Sequence, residues 1–255
     1  HFAHWTLCLV AAGVTVWALL RTFRRWDNKV FAYYLMHDYA YSAQAKGANP
    51  PELEARMAEF RAAIAEAMTG DFDEVLVVGH SSGAHLAVSI LSDLIRLDLK
   101  NAGQPGPRPA LAFLSLGQVV PMVSFLPEAR RLRGDLAYLS ARDELTWVDV
   151  TAPGDGCAFA LCDPVAVTGV APDNQRWPLI LTAAFTQTLS PERWAELRRR
   201  YFRLHFQYLC AFDRPGHYDY FQITAGPVPL GWRYRDRPAS KSRIATPLSG
   251  YRTVA

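Results

Sequence analysis

The first pattern in the chain is an apolar run without a charge near the N-terminus. Residues 5–20 are uncharged, and Arg21, Arg24, Arg25 and Lys29 follow at once. Counted from the second residue, the run is about the minimum length of a helix that crosses a bilayer. A secretory signal would carry its basic residues before the apolar core rather than after it.

This run predicts a membrane anchor over residues 1–29, either a single helix or the second half of a hairpin. Tryptophans at positions 5, 17 and 26 suit the membrane interface, and the basic flank predicts a cytoplasmic location for the domain that follows. The alternative interpretation is a buried helix of a soluble domain.

Helical and strand patterns alternate after the anchor. Apolar residues three to four positions apart predict a helix after Pro50-Pro51, at Leu53, Met57, Phe60, Ile64 and Met68. Short apolar runs predict strands before Ser81 and over 111–116, 145–151 and 179–185. Between them we expect a helix from Ser81 to about residue 97, a loop over 101–109 and a helix over 191–209. The alternation predicts an α/β domain over residues 30–235, with a mostly parallel sheet and helices on both faces. Residues 236–255 are aperiodic and are expected to form a loosely ordered tail.

Composition excludes some classes of function. Of the 255 residues 50% are hydrophobic and 20% are charged, and the net charge is only +3. No basic stripe with interleaved aromatic residues points to nucleic acid. The four cysteines lack metal-finger spacing and favour a reducing compartment.

A Gly-x-Ser-x-Gly pentapeptide, Gly79-His80-Ser81-Ser82-Gly83, stands between the first strand and the helix after it. Such a sharp turn strains the central residue and lifts its side chain clear of the sheet edge. We expect a Cβ at Gly79 or Gly83 to collide with neighbouring backbone. The motif predicts that Ser81 is a nucleophile at a helix N-terminus, and the alternative is a serine that only caps the helix.

A nucleophilic serine needs a histidine base and a carboxylate that orients it. In this arrangement the chain order is serine, acid, histidine. Asp155 lies in a Pro-Gly-Asp-Gly turn just past strand 145–151, where such an acid is expected. Asp149 lies within that strand and faces one side of the sheet, and Asp163 is the alternative acid.

Two histidines follow the acid. His205 lies on the apolar face of the predicted helix and is the preferred base, and His217 lies in a turn and is the alternative. His80 and His85 precede the acid and are excluded by chain order. We expect His80 to line the site and His85 to lie on a helix face.

With these residues assembled, the chain resembles the α/β-hydrolase superfamily, in particular its lipase-like branch with the class 3 lipases. The resemblance rests on the serine turn, on the strand end Leu114-Ser115-Leu116-Gly117, on Asp155 after its strand and on the pattern His205-x-x-Tyr208. The last pattern favours His205 over the alternative base. The resemblance covers about residues 50–225.

Residues 147–170 are similar to bacterial hydrolase-like proteins that carry an N-terminal membrane segment. In the superfamily one oxyanion donor is the N–H after the nucleophile, here that of Ser82, and a second comes from a loop after an early strand. No such strand is recognisable before residue 50, so two alternatives are open: a sheet that lacks its first strands, or a preceding segment of the natural protein that supplies them. No lid insertion stands out.

The resemblance implies a membrane-associated serine hydrolase of carboxylic esters, including esters of lipids or acyl groups. Ser81 would attack, His205 would transfer the proton, Asp155 would orient His205 and the Ser82 N–H would bind the oxyanion. No metal or organic cofactor is implied. The expected partners are a small-molecule or lipid ester and the membrane, without nucleic acid. The alternatives are an acyltransferase or thioesterase with the same triad, and an inactive hydrolase fold that acts as a membrane-bound interaction module.

Overall fold

A computed structural model of the chain describes residues 2–99 and 108–255. The chain divides into two compact units, His1–Ala40 and Tyr41–Ala255. The first boundary predicted from the sequence is at residue 29. Most of the loop predicted over 101–109 lies outside the described residues.

The first unit is helical. It contains α1 (Phe2–Arg25), α2 (Asp27–Val30) and most of α3 (Ala32–Gln44). Phe31 has a left-handed backbone, with φ 55°, and separates α2 from α3. Residues His4–Arg25 of α1 form a helix that is long and apolar enough to cross a membrane, and this stretch is not buried within the protein.

The second unit alternates strands with helices. Its strands are β1 (Glu74–His80), β2 (Ala110–Leu116), β3 (Leu145–Thr151) and β4 (Leu179–Thr182). Its helices are α4 (Pro51–Ala67), α5 (Ser82–Asp93), α6 (Val120–Ser124), α7 (Arg130–Ser140), α8 (Pro164–Thr168), α9 (Phe185–Thr188), α10 (Pro191–Leu197), α11 (Tyr201–His205), α12 (Tyr220–Thr224) and α13 (Leu230–Tyr234). A π-helical segment, Leu94–Leu99, follows α5, and a 3₁₀ segment, Phe206–Leu209, follows α11.

The four strands form one parallel sheet in the order β1-β2-β3-β4. This confirms the predicted parallel α/β fold. His80 at the end of β1 is level with Leu116 of β2, which is level with Val150 of β3. The carboxyl ends of the three strands therefore meet at one edge of the sheet, where ligand sites of open α/β sheets lie.

Alternate residues of the strands supply two hydrophobic cores, because successive strand side chains point to opposite faces. Leu111 and Phe113 of β2 pack on one face with residues of α4 to α8. Leu114 and Leu116 pack on the other face with residues of α9 to α13. The sheet thus carries helices on both faces.

Two elements differ from the sequence prediction. The helix predicted over 191–209 is divided, since α10 ends at Leu197 and α11 begins at Tyr201. The strand predicted over 179–185 ends at Thr182, and the left-handed Ala184, with φ 46°, turns the chain into α9. In both places the backbone leaves the predicted helix or strand earlier than expected and continues in short helices that pack against the sheet.

The last twenty residues contact the domain at several points. The Ser240 N–H donates to the Ile180 carbonyl, and the Leu248 N–H donates to the Val167 carbonyl, both at 2.8 Å. The guanidinium of the fully buried Arg133 donates through Nε to the Thr253 carbonyl at 2.7 Å.

Candidate active site

Ser81 lies at the turn from β1 into α5. Its backbone has φ 56° and ψ −123°, a conformation that costs about 1–3 kcal/mol for a residue with a side chain. The Ser81 N–H donates to the Leu116 carbonyl at 2.9 Å, which fixes the turn against the end of β2. The motif therefore forms the strained strand-to-helix turn that the sequence predicts.

The two glycines of the motif differ in their surroundings. A Cβ at Gly79 would lie 2.9 Å from Ala84 Cα, so this position requires glycine. A Cβ at Gly83 would have nothing within 4 Å, and the collision expected there is wrong. Only the first glycine is imposed by close packing of the strand against the helix.

The Ser81 side chain does not serve as a helix cap. The residue occupies the N-cap position of α5, but its side chain makes no capping hydrogen bond. Ser81 is also partly exposed. The interpretation of this serine as a simple cap therefore lacks its defining contact.

Asp155 and His205 form a buried pair 50 residues apart in the chain. His205 Nδ1 and Asp155 Oδ2 are 2.7 Å apart, and the residues are 2% and 3% exposed. Because an ionised carboxylate only accepts hydrogen bonds, this contact places the imidazole proton on Nδ1. The Nε2 lone pair is then the basic atom of His205.

Two further donors hold the Asp155 carboxylate. Tyr208 donates its hydroxyl to Oδ2 at 3.0 Å, and the Cys157 N–H donates to Oδ1 at 2.9 Å. Burial and the adjacent Asp155 raise the pKa of Tyr208 well above its usual value, so the hydroxyl stays protonated and can donate. The sequence predicts no role for Tyr208, although its spacing from His205 is part of the resemblance.

The division of the predicted helix explains how both side chains reach one carboxylate. His205 ends α11, and the following turn is a 3₁₀ helix that contains Tyr208. Side chains three residues apart are eclipsed in a 3₁₀ helix, whereas in an α-helix they are offset by about 60° around the axis. The tighter turn therefore directs the imidazole and the phenol to the same side.

Gly117 brings the serine and histidine sides of the site together. Its φ is 52°, and a Cβ there would lie 2.7 Å from Tyr208 Cε2 and 3.0 Å from His205 Cε1. Gly117 directly follows Leu116, whose carbonyl accepts the Ser81 N–H. The end of β2 thus contacts the serine turn and the base together.

His80 touches the base directly. Its Nε2–H donates to the His205 carbonyl at 2.9 Å, and the two imidazole centroids are 4.6 Å apart. Phe206 covers it, with ring centroids 4.8 Å apart. Burial lowers the pKa of His80, although the hydrogen bond to the His205 carbonyl opposes this shift, so the ring stays neutral down to a lower pH than an ordinary histidine. His80, which the sequence predicts to line the site, is therefore in direct contact with His205.

The basic atom of His205 is uncommitted. Nε2 is buried and has no hydrogen-bond partner among the described residues, Ser81 Oγ included. Catalytic hydrogen bonds are often long or poorly aligned in the free enzyme and tighten only with substrate. The arrangement presents a preformed Asp155–His205 pair that makes no hydrogen bond to Ser81.

The alternative acid and base lie elsewhere. Asp163 caps α8 by accepting from the N–H groups of Val165 and Ala166, and its other oxygen accepts from Gln175. His217 is exposed, and its backbone carbonyl accepts from the Tyr234 hydroxyl. The structure brings Asp155 to His205 and not to His217.

Ser82 is the first residue of α5, so its backbone N–H belongs to the N-terminal turn of that helix. The expected second oxyanion donor would follow an earlier strand. Among the described residues β1 is the first strand, and α4 precedes it. The described part of the chain therefore supplies one predicted donor.

Asp155, Cys157 and His205 are the residues that could share a metal ion, since one potential ligand atom of each lies within 4.8 Å of the others. Ligand atoms around a tetrahedral zinc ion are separated by about 3.3 Å, as follows from zinc–ligand distances near 2.0 Å. The 2.7 Å separation of Asp155 and His205 is that of a hydrogen bond. Burial and Asp155 raise the pKa of the Cys157 thiol to about 11, which disfavours the thiolate a metal needs.

A second buried aspartate lies within β3, as the sequence predicts. Asp149 accepts from the Ser115 hydroxyl at 2.5 Å, and that hydroxyl accepts from Trp147 Nε1 at 2.8 Å. The other oxygen, Oδ2, is buried without a hydrogen-bond partner among the described residues. Burial raises the pKa of Asp149 to about 8. This residue faces the core and takes no part in the candidate site.

Comparison of the chain with protein-family models, with curated proteins and with solved structures finds no match. The functional assignment therefore depends on the geometry of the site.

Proposed function

We propose that the protein is a membrane-anchored serine hydrolase that acts on carboxylic esters. The observation that carries the proposal is the buried Asp155–His205 pair, whose uncommitted Nε2 lies at the same sheet edge as the strained turn of Ser81. A buried imidazole with its proton fixed on Nδ1 is suited to remove a proton from a serine hydroxyl.

In the proposed reaction Ser81 Oγ attacks the ester carbonyl and His205 Nε2 accepts the hydroxyl proton. Asp155 stabilises the imidazolium that forms, and His205 then gives the proton to the leaving alcohol. Water next attacks the acyl carbon while His205 Nε2 accepts its proton, and His205 returns that proton to Ser81 Oγ as the carboxylic acid leaves. The serine and the base thus form and break the acyl bond without a cofactor.

The negative charge of the tetrahedral intermediate requires donors near the ester carbonyl. The Ser82 N–H is the proposed donor, because it lies in the first turn of the twelve-residue α5, where the helix dipole favours an anion. Each oxyanion donor contributes about 10²- to 10³-fold to turnover.

Helix α1 is the proposed anchor. Its length and apolar composition suit a bilayer. Arg21, Arg24, Arg25 and Lys29 follow the apolar part, so the positive-inside rule favours a cytoplasmic catalytic domain.

A fluorophosphonate probe tests the nucleophile, since it phosphonylates only an activated serine. We expect the full-length protein to be labelled, the Ser81→Ala variant to lose labelling, and a Ser242→Ala variant at an exposed serine to keep it. Equal labelling of Ser81→Ala, or no labelling of the folded wild type, would contradict the proposal. The second result would favour the inactive interaction module.

Product analysis separates the hydrolase from the transferase. With an activated ester and competing water and alcohol, a hydrolase releases mainly the acid. Predominant transfer to the alcohol would instead identify an acyltransferase with the same residues, and strong preference for thioesters would identify a thioesterase.

A further inference from the structure

The end of α1 forms a cationic cavity that the proposed hydrolase chemistry does not use. It has a volume of about 470 Å³ and is lined by Trp17, Leu20, Arg21, Arg24, Arg25 and Tyr33. The five positions on α1 are spaced by three and four residues, so their side chains share one face of the helix. Tyr33 of α3 also lines the cavity, and its hydroxyl donates to the Leu20 carbonyl at 3.2 Å. All six residues belong to the first unit.

The cavity carries a positive charge that nearby carboxylates do not neutralise. Its lining contains three arginines and no acidic residue. None of these arginines is in an ion pair within the described part of the chain. The Asp27 carboxylate accepts the Tyr33 N–H at 2.7 Å. The Arg21 guanidinium lies over the Trp17 ring, 5.2 Å from its centroid.

The cavity lies where the apolar part of α1 ends. The uncharged stretch up to Leu20 would rise about 28 Å at 1.5 Å per residue, close to the thickness of the hydrocarbon core of a bilayer. With α1 across a membrane, the guanidinium groups would therefore lie at the level of the lipid phosphates. Trp17 and Leu20 would form the part of the cavity wall on the side of the hydrocarbon core of the bilayer.

We infer that this cavity binds the phosphate group of an anionic phospholipid. Planar guanidinium groups match phosphate oxygens in paired hydrogen bonds, and basic clusters beside membrane helices attract anionic headgroups. A ligand with a phosphate at one end and a hydrocarbon chain at the other fits a cavity that is cationic on one side and apolar on the other. The inference rests on the membrane location of α1 and is independent of the chemistry of Ser81.

Native mass spectrometry of the full-length protein in detergent tests the site. The protein is mixed with equal amounts of phosphatidylglycerol and phosphatidylcholine, and bound lipids are counted. We expect phosphatidylglycerol to be retained preferentially. Arg24→Gln or Arg25→Gln should each lower its retention about five- to tenfold, in line with about 1 kcal/mol or more for each basic group near anionic lipid.

Lys29→Gln is the matched control, because this exposed residue lies in the same basic flank but does not line the cavity. We expect it to change retention less than twofold. An equal loss from Lys29→Gln would indicate diffuse attraction and overturn the inference. Equal retention of the two lipids would also overturn it.

Competition with inorganic phosphate distinguishes a lipid phosphate from a soluble phosphate as the ligand of the cavity. If inorganic phosphate displaces phosphatidylglycerol at equal concentration, the ligand is a soluble phosphate and the lipid assignment is wrong. Carbonate extraction of membranes reports the anchor itself, and release of the protein would also overturn the inference. Probe labelling of Ser81 is a separate measurement, so loss of the lipid site and loss of the hydrolase are distinguishable.

Discussion

Asp155 and His205 are buried side chains that hold each other in place, whereas Ser81 is a partly exposed residue positioned by its backbone. The Asp155 carboxylate contacts His205 and accepts two further hydrogen bonds, from the Tyr208 hydroxyl and the Cys157 N–H. The serine is fixed by a strained turn and one backbone hydrogen bond to β2. The Asp155–His205 half of the candidate site is thus preorganised by side-chain hydrogen bonds, whereas Ser81, the proposed nucleophile, is held through its backbone.

The largest expected effect on kcat comes from Asp155→Asn, which is compared with the same change at the alternative acid, Asp163. Asp155→Asn places an amide where His205 needs an acceptor and favours the wrong tautomer, so we expect kcat to fall by about 10³- to 10⁴-fold. The measurement is the rate at which the variant turns over a chromogenic ester, and circular dichroism checks that the variant is folded.

Asp163→Asn is the matched change, because asparagine still caps α8. We expect its kcat to stay within a few-fold of the wild type. Equal losses in the two variants would mean that the Asp155–His205 pair has no special part in turnover.

The junction between the two halves can be disturbed at Gly117. Gly117→Ala adds a Cβ that overlaps Tyr208 and His205 at a residue with φ 52°, so we expect a loss of about 2–5 kcal/mol in the free energy of unfolding. Gly83→Ala is the control, since nothing lies within 4 Å of its Cβ, and it should change stability by less than about 1 kcal/mol. Urea unfolding measures both, and similar values would show that the packing at Gly117 is loose.

Asp149 is another buried aspartate, with one donor instead of the three that surround Asp155. Its pKa is raised by burial to about 8 in the folded protein, from about 3.9 in the unfolded chain. Between these values the folded state binds more protons than the unfolded state, so stability is fully present below about pH 4 and is lost as the pH rises through 8.

We expect the wild type to lose on the order of a few kcal/mol between pH 5 and pH 8.5 through this group. Asp149→Asn cannot ionise, so its stability should depend less on pH over the same range. Urea unfolding at several pH values compares the slopes, and parallel slopes would refute the assignment of a neutral, buried carboxyl.

The smallest expected effect concerns His80, which is next to the nucleophile and touches the base. His80→Phe keeps an aromatic ring but removes the donor to the His205 carbonyl, and one hydrogen bond of about 1 kcal/mol corresponds to about a fivefold fall in kcat. His80→Gln restores an N–H donor and should recover part of this loss. If the phenylalanine variant is fully active and the glutamine variant is not, ring packing rather than the hydrogen bond positions His205.

The sequence predicts correctly the position of elements that have a strong local pattern. The helix after Pro50 and the strand over 145–151 lie where their patterns predict. Helix α7 was not predicted, although Leu132, Leu136 and Leu139 have helical spacing and pack in one core. The break between α10 and α11 carried no glycine or proline, so the apolar pattern continued across it.

The sequence by itself determined the serine turn and the apolar first helix, because both follow from neighbours within a few residues. Tertiary structure decided which histidine meets which aspartate. That pairing spans 50 residues and depends on the strand order, on the 3₁₀ turn after His205 and on the space left by Gly117. Periodicity reports which face of an element is apolar, whereas the contact between two distant polar atoms depends on how all the elements between them pack.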